Sequence, residues 1–207
     1  MRSFNDMNMK RILLFLLFLP IASLGIFAQD YNNVRVFEFE MGAGLNHGNI
    51  RGYSQSGIKV GPVIFIETRF NLRESPLDIG LQSSIGGSFA KKAKKDSYLY
   101  DISTIAVVSA IYLDYNHRKW ENVSLFGGLG LGRALFKIDE DQVSHDGTRI
   151  NGHECNHEIH SLFAFSPRIG AEFFNCIRLT AECKIMAKYS SYYALNVGIV
   201  MGGGMKE

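Results

Sequence analysis

The sequence alternates between apolar side chains and polar or small ones over long stretches. From position 37 to position 45, the odd positions carry Phe37, Phe39, Met41, Ala43 and Leu45, and the even positions carry Glu38, Glu40, Gly42 and Gly44. The same two-residue period returns between Phe163 and Phe173. A period of two places successive side chains on opposite faces of a β-strand. The pattern therefore predicts strands with one apolar face and one face of charged residues and glycines.

The first 28 residues have the organisation of an export signal. Three basic residues precede or begin the segment, 12–19 is an unbroken apolar run, and Ala28 offers a cleavage point before Gln29. A retained membrane anchor is the alternative, but Pro20 and Gly25 interrupt the second half of the apolar segment. We therefore expect residues 1–28 to be a cleaved signal peptide and residues 29–207 to form one domain.

The charge of the predicted mature chain is balanced. Without the leader, 19 basic and 19 acidic residues remain, so the slightly basic character of the whole chain comes from the leader. A neutral domain has no electrostatic footprint for nucleic acid, and we expect no nucleic-acid partner.

Eight segments of the mature chain have the alternating pattern of strands. They are Val34–Leu45, Ile58–Leu72, Leu77–Phe89, Ile102–Tyr115, Val123–Lys137, Leu162–Phe174, Ile177–Lys188 and Tyr193–Gly203. Long connections at 46–57, 90–101 and 138–161 alternate with short ones at 73–76, 116–122 and 175–176. Long connections at one end and short turns at the other are typical of membrane β-barrels, in which an even number of strands returns both termini to the periplasm.

Alternation alone leaves open which face points inward. A soluble, lipocalin-like barrel has the same period with its apolar face inside. Eleven glycines fall on the polar face, where a narrow lumen requires small residues: Gly42, Gly44, Gly61, Gly80, Gly86, Gly128, Gly130, Gly132, Gly170, Gly198 and Gly202. Apolar faces about ten residues long also match a tilted membrane strand. We predict an all-β fold, an eight-stranded antiparallel transmembrane β-barrel with up-and-down topology.

Three short segments resemble a known group of proteins. They are the end of the leader (Phe27-Ala28-Gln29), the glycine zigzag from Phe126 to Gly132, and the segment from Pro167 to Phe173. In these the chain resembles the small outer-membrane β-barrel proteins of the Bacteroidetes, described as porin-family or PorT-like, which share the architecture of the OmpX and OmpW types. The resemblance implies a Gram-negative outer membrane with lipid and lipopolysaccharide as surroundings, and external loops able to contact a protein partner.

The polar face carries charges of both signs. We expect the lumen to hold the acids Glu38, Glu40, Glu67, Asp78, Asp114, Glu172 and Glu182 and the bases Lys59, Arg69, Arg168, Arg178, Lys184 and Lys188. Buried charges persist when they are paired, so we predict a cross-strand network of salt bridges that fills the barrel. The alternative is a narrow selective pore, for which one sign of charge would be in excess.

The third long connection contains a group of possible metal ligands. His153, Cys155, His157 and His160 lie within eight residues, and side chains two apart in an extended segment point the same way. A polar surface loop explains the same composition, and we expect no cofactor.

The second long connection contains a basic cluster of Lys91, Lys92, Lys94 and Lys95. At the outer leaflet, such a cluster could contact the phosphates of lipopolysaccharide. The alternative is that these lysines are simply solvated.

Two catalytic motifs are missing from the sequence. Barrel enzymes that deacylate lipid A resemble one another in a His-x-Ser motif, and none of the six histidines has a serine two residues later. A Gly-x-Ser-x-Gly elbow is also missing. We expect a non-catalytic structural or surface-interaction protein that acts through its external loops. The alternatives are a narrow porin-like channel, a PorT-like secretion accessory, and a periplasmic lipocalin-like binding barrel.

Overall fold

The computed structural model describes residues 35–50, 58–72, 75–95, 98–120, 122–143, 156–186 and 190–202. These residues form the strands β1 (Phe37–Ile50), β2 (Ile58–Lys59), β3 (Gly61–Asn71), β4 (Leu77–Lys95), β5 (Tyr98–Trp120), β6 (Val123–Val143), β7 (Asn156–Phe173), β8 (Ile177–Met186) and β9 (Ser190–Met201). Within these ranges there is no helix with the length and hydropathy needed to span a membrane. The predicted signal peptide, residues 1–28, lies outside the described residues.

The strands form one closed antiparallel sheet. β1 pairs with β3, β3 with β4, and each later strand with the next in the chain until β9 pairs back with β1. β2 pairs with β4 beyond the end of β3, so these two short strands share one position in the wall. In the described part of the chain the sheet therefore closes into a ring of eight positions, which confirms the predicted eight-stranded meander.

The strands are staggered as closure of a barrel requires. When paired residues are followed once around the wall from Glu40, the path returns to β1 at Ile50, ten residues farther along. For eight strands this stagger corresponds to a tilt of about 40° from the barrel axis. A barrel of this size has an interior that its own side chains can fill.

The alternation sends charged side chains inward and apolar side chains outward. In β3, Glu67 and Arg69 are buried, whereas Ile64 and Ile66, which lie on the opposite face of the strand, are exposed. Leu45 and Leu195 on the outer wall are each more than 60% exposed. An apolar outer wall around a charged interior is the polarity of a transmembrane β-barrel. The lipocalin-like alternative requires the opposite polarity and is wrong.

The two ends of the barrel differ in strand length. β1 begins and β9 ends at one end, where Phe39 pairs with Met201; we call this the terminal end and the opposite end the distal end. β4, β5, β6 and β7 contain 19, 23, 21 and 18 residues, whereas β1, β3, β8 and β9 contain 14, 11, 10 and 12. Most of the additional length extends the wall at the distal end.

The predicted connections are wrong in extent because the strands continue into them. β1 reaches Ile50, β4 and β5 leave only 96–97 between their ends, β6 reaches Val143, and β7 begins at Asn156. At the terminal end β5 continues through the predicted turn at 116–122 to Trp120, which pairs with Val123. Lysines and aspartates beyond the apolar part of the wall lie on a surface that meets water. Charged side chains at these positions are solvated, so the strand can continue through them.

The connection between β7 and β8 is a tight turn. Phe174 and Asn175 have φ values of 53° and 56°, and the Cys176 amide donates a hydrogen bond to the Phe173 carbonyl at 3.1 Å. Two successive residues with positive φ are typical of the type I′ turn, whose twist matches that of the flanking strands.

The interior is divided into two parts along the barrel axis. Charged residues fill the part nearer the terminal end. An apolar cluster fills the distal part: Val63, Ala90, Ala93, Ile102, Ala106, Val108, Ala134, Phe136, Ile138, Ala164, Met186, Tyr192 and Ala194. Ala106, Val108 and Ala110 are apolar residues on the inward face of β5, and all three are buried.

Candidate functional site

The charged interior is built on carboxylates that face each other across neighbouring strands. Glu40 lies directly opposite Glu67, and Asp78 lies directly opposite Asp114. Like charges directly opposite each other destabilise a sheet. Cations from other strands must therefore reach both pairs.

Arg178 of β8 neutralises the carboxylates nearest the terminal end. Its Nη1 donates a hydrogen bond to Glu40 Oε2 at 2.6 Å, and its Nη2 donates to Glu38 Oε2 at 2.8 Å. Nη2 also donates to Glu172, the residue paired with Arg178 on β7. One guanidinium thus joins three carboxylates from β1 and β7.

Arg168 of β7 occupies the centre of the network. It binds Glu67 through two parallel hydrogen bonds, Nη1 to Oε2 at 2.5 Å and Nη2 to Oε1 at 2.8 Å. It also donates to Asp114, from Nε at 3.0 Å and from Nη2 at 2.5 Å. The Tyr112 ring lies beneath the guanidinium, whose carbon is 3.7 Å from the ring centroid. Two parallel hydrogen bonds to one carboxylate, together with planar stacking on a ring, are interactions that a guanidinium makes and an ammonium does not.

Arg69 of β3 contacts both pairs of opposed carboxylates. Its Nη2 lies 3.0 Å from Glu67 Oε1 and 3.3 Å from Asp114 Oδ2. The Phe126 ring centroid lies 4.9 Å from the Arg69 guanidinium carbon and 5.5 Å from the Arg178 guanidinium carbon. An aromatic face attracts a nearby cation, so the Phe126 ring stabilises both guanidinium groups.

Glycines make room for these large side chains. A Cβ at Gly128 would overlap the Asp114 carboxylate, and a Cβ at Gly170 would overlap the Phe126 ring. The glycine zigzag is therefore required by the bulk of the residues across from it.

Sequence reasoning missed Arg118. Its Nη2 donates to Asp78 Oδ2 at 2.7 Å and to Asn71 Oδ1 at 2.9 Å, and Asn116 donates to the same Asp78 oxygen at 3.0 Å. The predicted turn at 116–122 placed this residue outside the strand. The signal was available, because Arg118 continues the inward parity of Asp114 and Asn116.

Lys184 marks the distal limit of the charges. Its Nζ lies 3.1 Å from Glu182 Oε1, and it donates to Gln82 Oε1 at 2.9 Å and to Ser84 Oγ at 2.6 Å. Asn196 donates to the same Glu182 oxygen at 3.0 Å. Beyond Lys184 no charged side chain of the described interior is buried, and the apolar cluster and neutral polar side chains such as Ser88 and Thr104 occupy the space.

The structure brings eleven of the thirteen predicted lumen residues together, none more than 4% exposed: Glu38, Glu40, Glu67, Arg69, Asp78, Asp114, Arg168, Glu172, Arg178, Glu182 and Lys184. The side chain of Lys59 and the whole of Lys188 lie outside the described residues. With Arg118 added, the described interior contains seven carboxylates and five cations. Such a buried network persists because each cation is shared among several acceptors.

One small cavity lies in the distal half of the interior, about large enough for a single water molecule. Asn46, Ser88, Thr104, Phe136 and Tyr192 line it. The cavity is too small for an organic ligand.

The predicted lysine cluster lies on strand β4 and not in a loop. Lys91 and Lys94 are exposed; Lys91 lies within a bulge between Ala90 and Ala93, and Lys94 follows it. The side chains of Lys92 and Lys95 lie outside the described residues.

The predicted metal ligands are divided between undescribed residues and a strand. His153 and Cys155 lie outside the described residues, as does the side chain of His157. Positions 157 and 160 belong to β7, so their assignment to a loop is wrong. Among the described residues there is no group of three or more side chains able to hold a metal ion.

No protein-family model matches the chain, and no curated protein matches it. Several solved structures resemble it. The attachment invasion locus protein Ail of Yersinia pestis, in complex with the heparin analogue sucrose octasulfate, is 17% identical, with a TM-score of 0.44 over 80% of this chain and 97% of Ail. Neisserial surface protein A is 12% identical, with a TM-score of 0.46 over 80% and 96%. The N-terminal β-barrel domain of Pseudomonas aeruginosa OprF is 10% identical, with a TM-score of 0.43 over 81% and 99%. At identities this low, the similarity says nothing about function.

Proposed function

We propose that the protein is a non-catalytic outer-membrane β-barrel with a closed lumen, which acts at the cell surface through its distal end. The observation that carries this proposal is the polarity of the wall. Apolar residues cover the outside and paired charges fill the inside. A barrel of this polarity is stable only where lipid surrounds it.

The predicted leader supports the outer membrane as the destination, since it directs export and membrane barrels occur there. In an outer-membrane barrel with an even number of strands, both termini lie in the periplasm, so the distal end lies outside the cell. The extended ends of β4 to β7 then form the external surface. Lys91 and Lys94 face outward there, where they can contact the phosphates of lipopolysaccharide.

A narrow channel is the alternative function, and the interior argues against it. Arg168 of β7 crosses the lumen to Glu67 of β3, and Arg178 of β8 reaches past β9 to Glu40 of β1. The apolar cluster around Phe136 then fills the distal part. An ion would have to break buried ion pairs and enter an apolar constriction.

Two measurements test the proposal. We expect the full chain to fractionate with the outer membrane and to migrate differently on gels before and after heating in detergent. Complete extraction by salt or carbonate would contradict the membrane placement. In planar bilayers we expect no single-channel current from the folded protein. Reproducible conductance steps would contradict the closed lumen and favour the channel.

A further inference from the structure

A cation lies on the outer wall among exposed apolar side chains. Arg133 belongs to β6 and shares its face with Leu131 and Leu135, each 55% exposed. Its partners across the neighbouring strands are Ser109 and Phe163. The parity of the strand thus places a guanidinium among lipid-facing side chains, whereas Arg69, Arg118, Arg168, Arg178 and Lys184 point inward.

The Arg133 guanidinium has unused hydrogen-bonding capacity. Its Nη2 donates to Ser161 Oγ at 3.2 Å. Among the residues that the structure describes, no carboxylate lies within 4.0 Å of it, in contrast to every described interior arginine. A guanidinium has five N–H donors, so most of them remain available to an outside acceptor.

The position of Arg133 along the strand limits what that acceptor can be. Lys137, four residues closer to the distal end on the same face, forms an ion pair with Asp139 at 3.0 Å and marks where the wall meets water. Four residues of a strand tilted by about 40° rise roughly 10 Å along the barrel axis. The backbone of Arg133 therefore lies within the apolar part of the wall, and its long side chain can direct the guanidinium towards the membrane interface.

The polar side chains around Arg133 are arranged to hold it there. Ser161 lies diagonally across from it on β7, on the distal side, because it pairs with Leu135. Ser109, its direct neighbour on β5, is bonded to Ser83 at 3.0 Å, and the described structure shows no hydrogen bond between Ser109 and Arg133. The contact with Ser161 thus draws the guanidinium towards the distal end.

We propose that Arg133, positioned by Ser161, binds the phosphate group of a lipid in the external leaflet. The inference rests on the proposed membrane placement and adds a site separate from the lysines of β4. The phosphate supplies the negative charge that the described protein does not, and guanidinium and phosphate geometries match. The apolar neighbours Leu131, Leu135 and Phe163 accommodate acyl chains, which a free phosphate ion lacks.

The test uses the full chain folded into nanodiscs of phosphatidylcholine, with lipid A or dephosphorylated lipid A added. Lipid that remains bound is counted by native mass spectrometry. We expect Arg133→Leu to weaken lipid A binding about tenfold, which corresponds to the loss of one charge-assisted interaction. Arg133→Lys and Ser161→Ala should give intermediate losses.

Three controls make the result specific. Arg35→Leu removes an exposed arginine at the terminal end and should bind lipid A like the parent protein. Dephosphorylated lipid A should bind equally to the parent and to Arg133→Leu. Inorganic phosphate should fail to displace lipid A, and displacement by it would contradict a lipid as the ligand.

The outcome also separates this inference from the proposed function. Equal lipid A binding by the parent and by a folded, heat-modifiable Arg133→Leu variant would overturn the Arg133 site and leave the barrel intact. A parent chain that does not insert into the nanodiscs would overturn the membrane placement itself.

Discussion

Arg178 of β8 donates a hydrogen bond to Glu40 of β1 over 2.6 Å, although 138 residues separate them in the chain. β9 lies between these two strands in the wall, so the contact passes along the inside of the barrel where the first and last strands meet. Closure of the sheet is therefore supported by a buried ion pair as well as by the backbone pairing of β1 with β9.

Replacing Arg178 with methionine should lower the free energy of unfolding by about 3–5 kcal/mol, because it leaves buried carboxylates without their cation. The change is measured by urea titration in lipid vesicles, with the folded fraction read from the heat-dependent migration on gels. Adding Glu40→Gln to Arg178→Met should restore part of the loss, since one unpaired charge is removed. The control is Arg35→Met at the exposed terminal end, with little change expected. Equal stability of Arg178→Met and the control would contradict the network.

Two adjacent glycines test the packing of the interior. Gly128 faces inward, where a Cβ would overlap Asp114, whereas a Cβ at Gly127 would meet Ile169 at an ordinary contact distance of 3.6 Å. We expect Gly128→Ala to cost about 1–3 kcal/mol through overpacking, and Gly127→Ala to be neutral or slightly stabilising. The same urea titration distinguishes them. A smaller loss for Gly128→Ala than for Gly127→Ala would show that the zigzag faces the other way.

Ser83 and Ser109 form a hydrogen bond of 3.0 Å on the outer wall, directly opposite each other on β4 and β5. Removing one hydroxyl leaves the other facing lipid, so each single alanine variant should lose about 1 kcal/mol. The double variant Ser83→Ala/Ser109→Ala should recover most of that loss, because no unpaired hydroxyl remains. Additive losses in a double-mutant cycle would rule out this coupling.

Phe136 and Phe163 test which aromatic residues form the core. Phe136 is 2% exposed inside the distal half, and Phe163 is 58% exposed on the outer wall. Phe136→Ala should destabilise the barrel by about 3–5 kcal/mol because it opens a cavity. Phe163→Ala should cost clearly less, since lipid chains can fill the space it leaves. The comparison is made by unfolding in vesicles, and equal losses would argue against the apolar distal core.

The fold was largely predictable because a closed membrane sheet imposes a period of two on nearly every residue of the wall. The extent of the strands was not. The polar composition of 90–101 predicts a loop that includes Lys94 and Asp101, but a strand that extends beyond the lipid carries charges on the same face that is apolar within it. Arg118 was missed for a related reason, since the turn at the terminal end is shorter than the polar composition of 116–122 indicates.

The sequence by itself determined the number of strands and the face on which each side chain lies, because both follow from local alternation. Only the tertiary structure decided which charges meet. Partners such as Glu67 and Arg168 are 101 residues apart, and their contact depends on the stagger that brings β3 and β7 to the same height across the lumen. It also decided that Arg133, which alternation places on the outer wall, has no described acid beside it. Alternation assigns a face, but closure of the barrel determines what lies across from it.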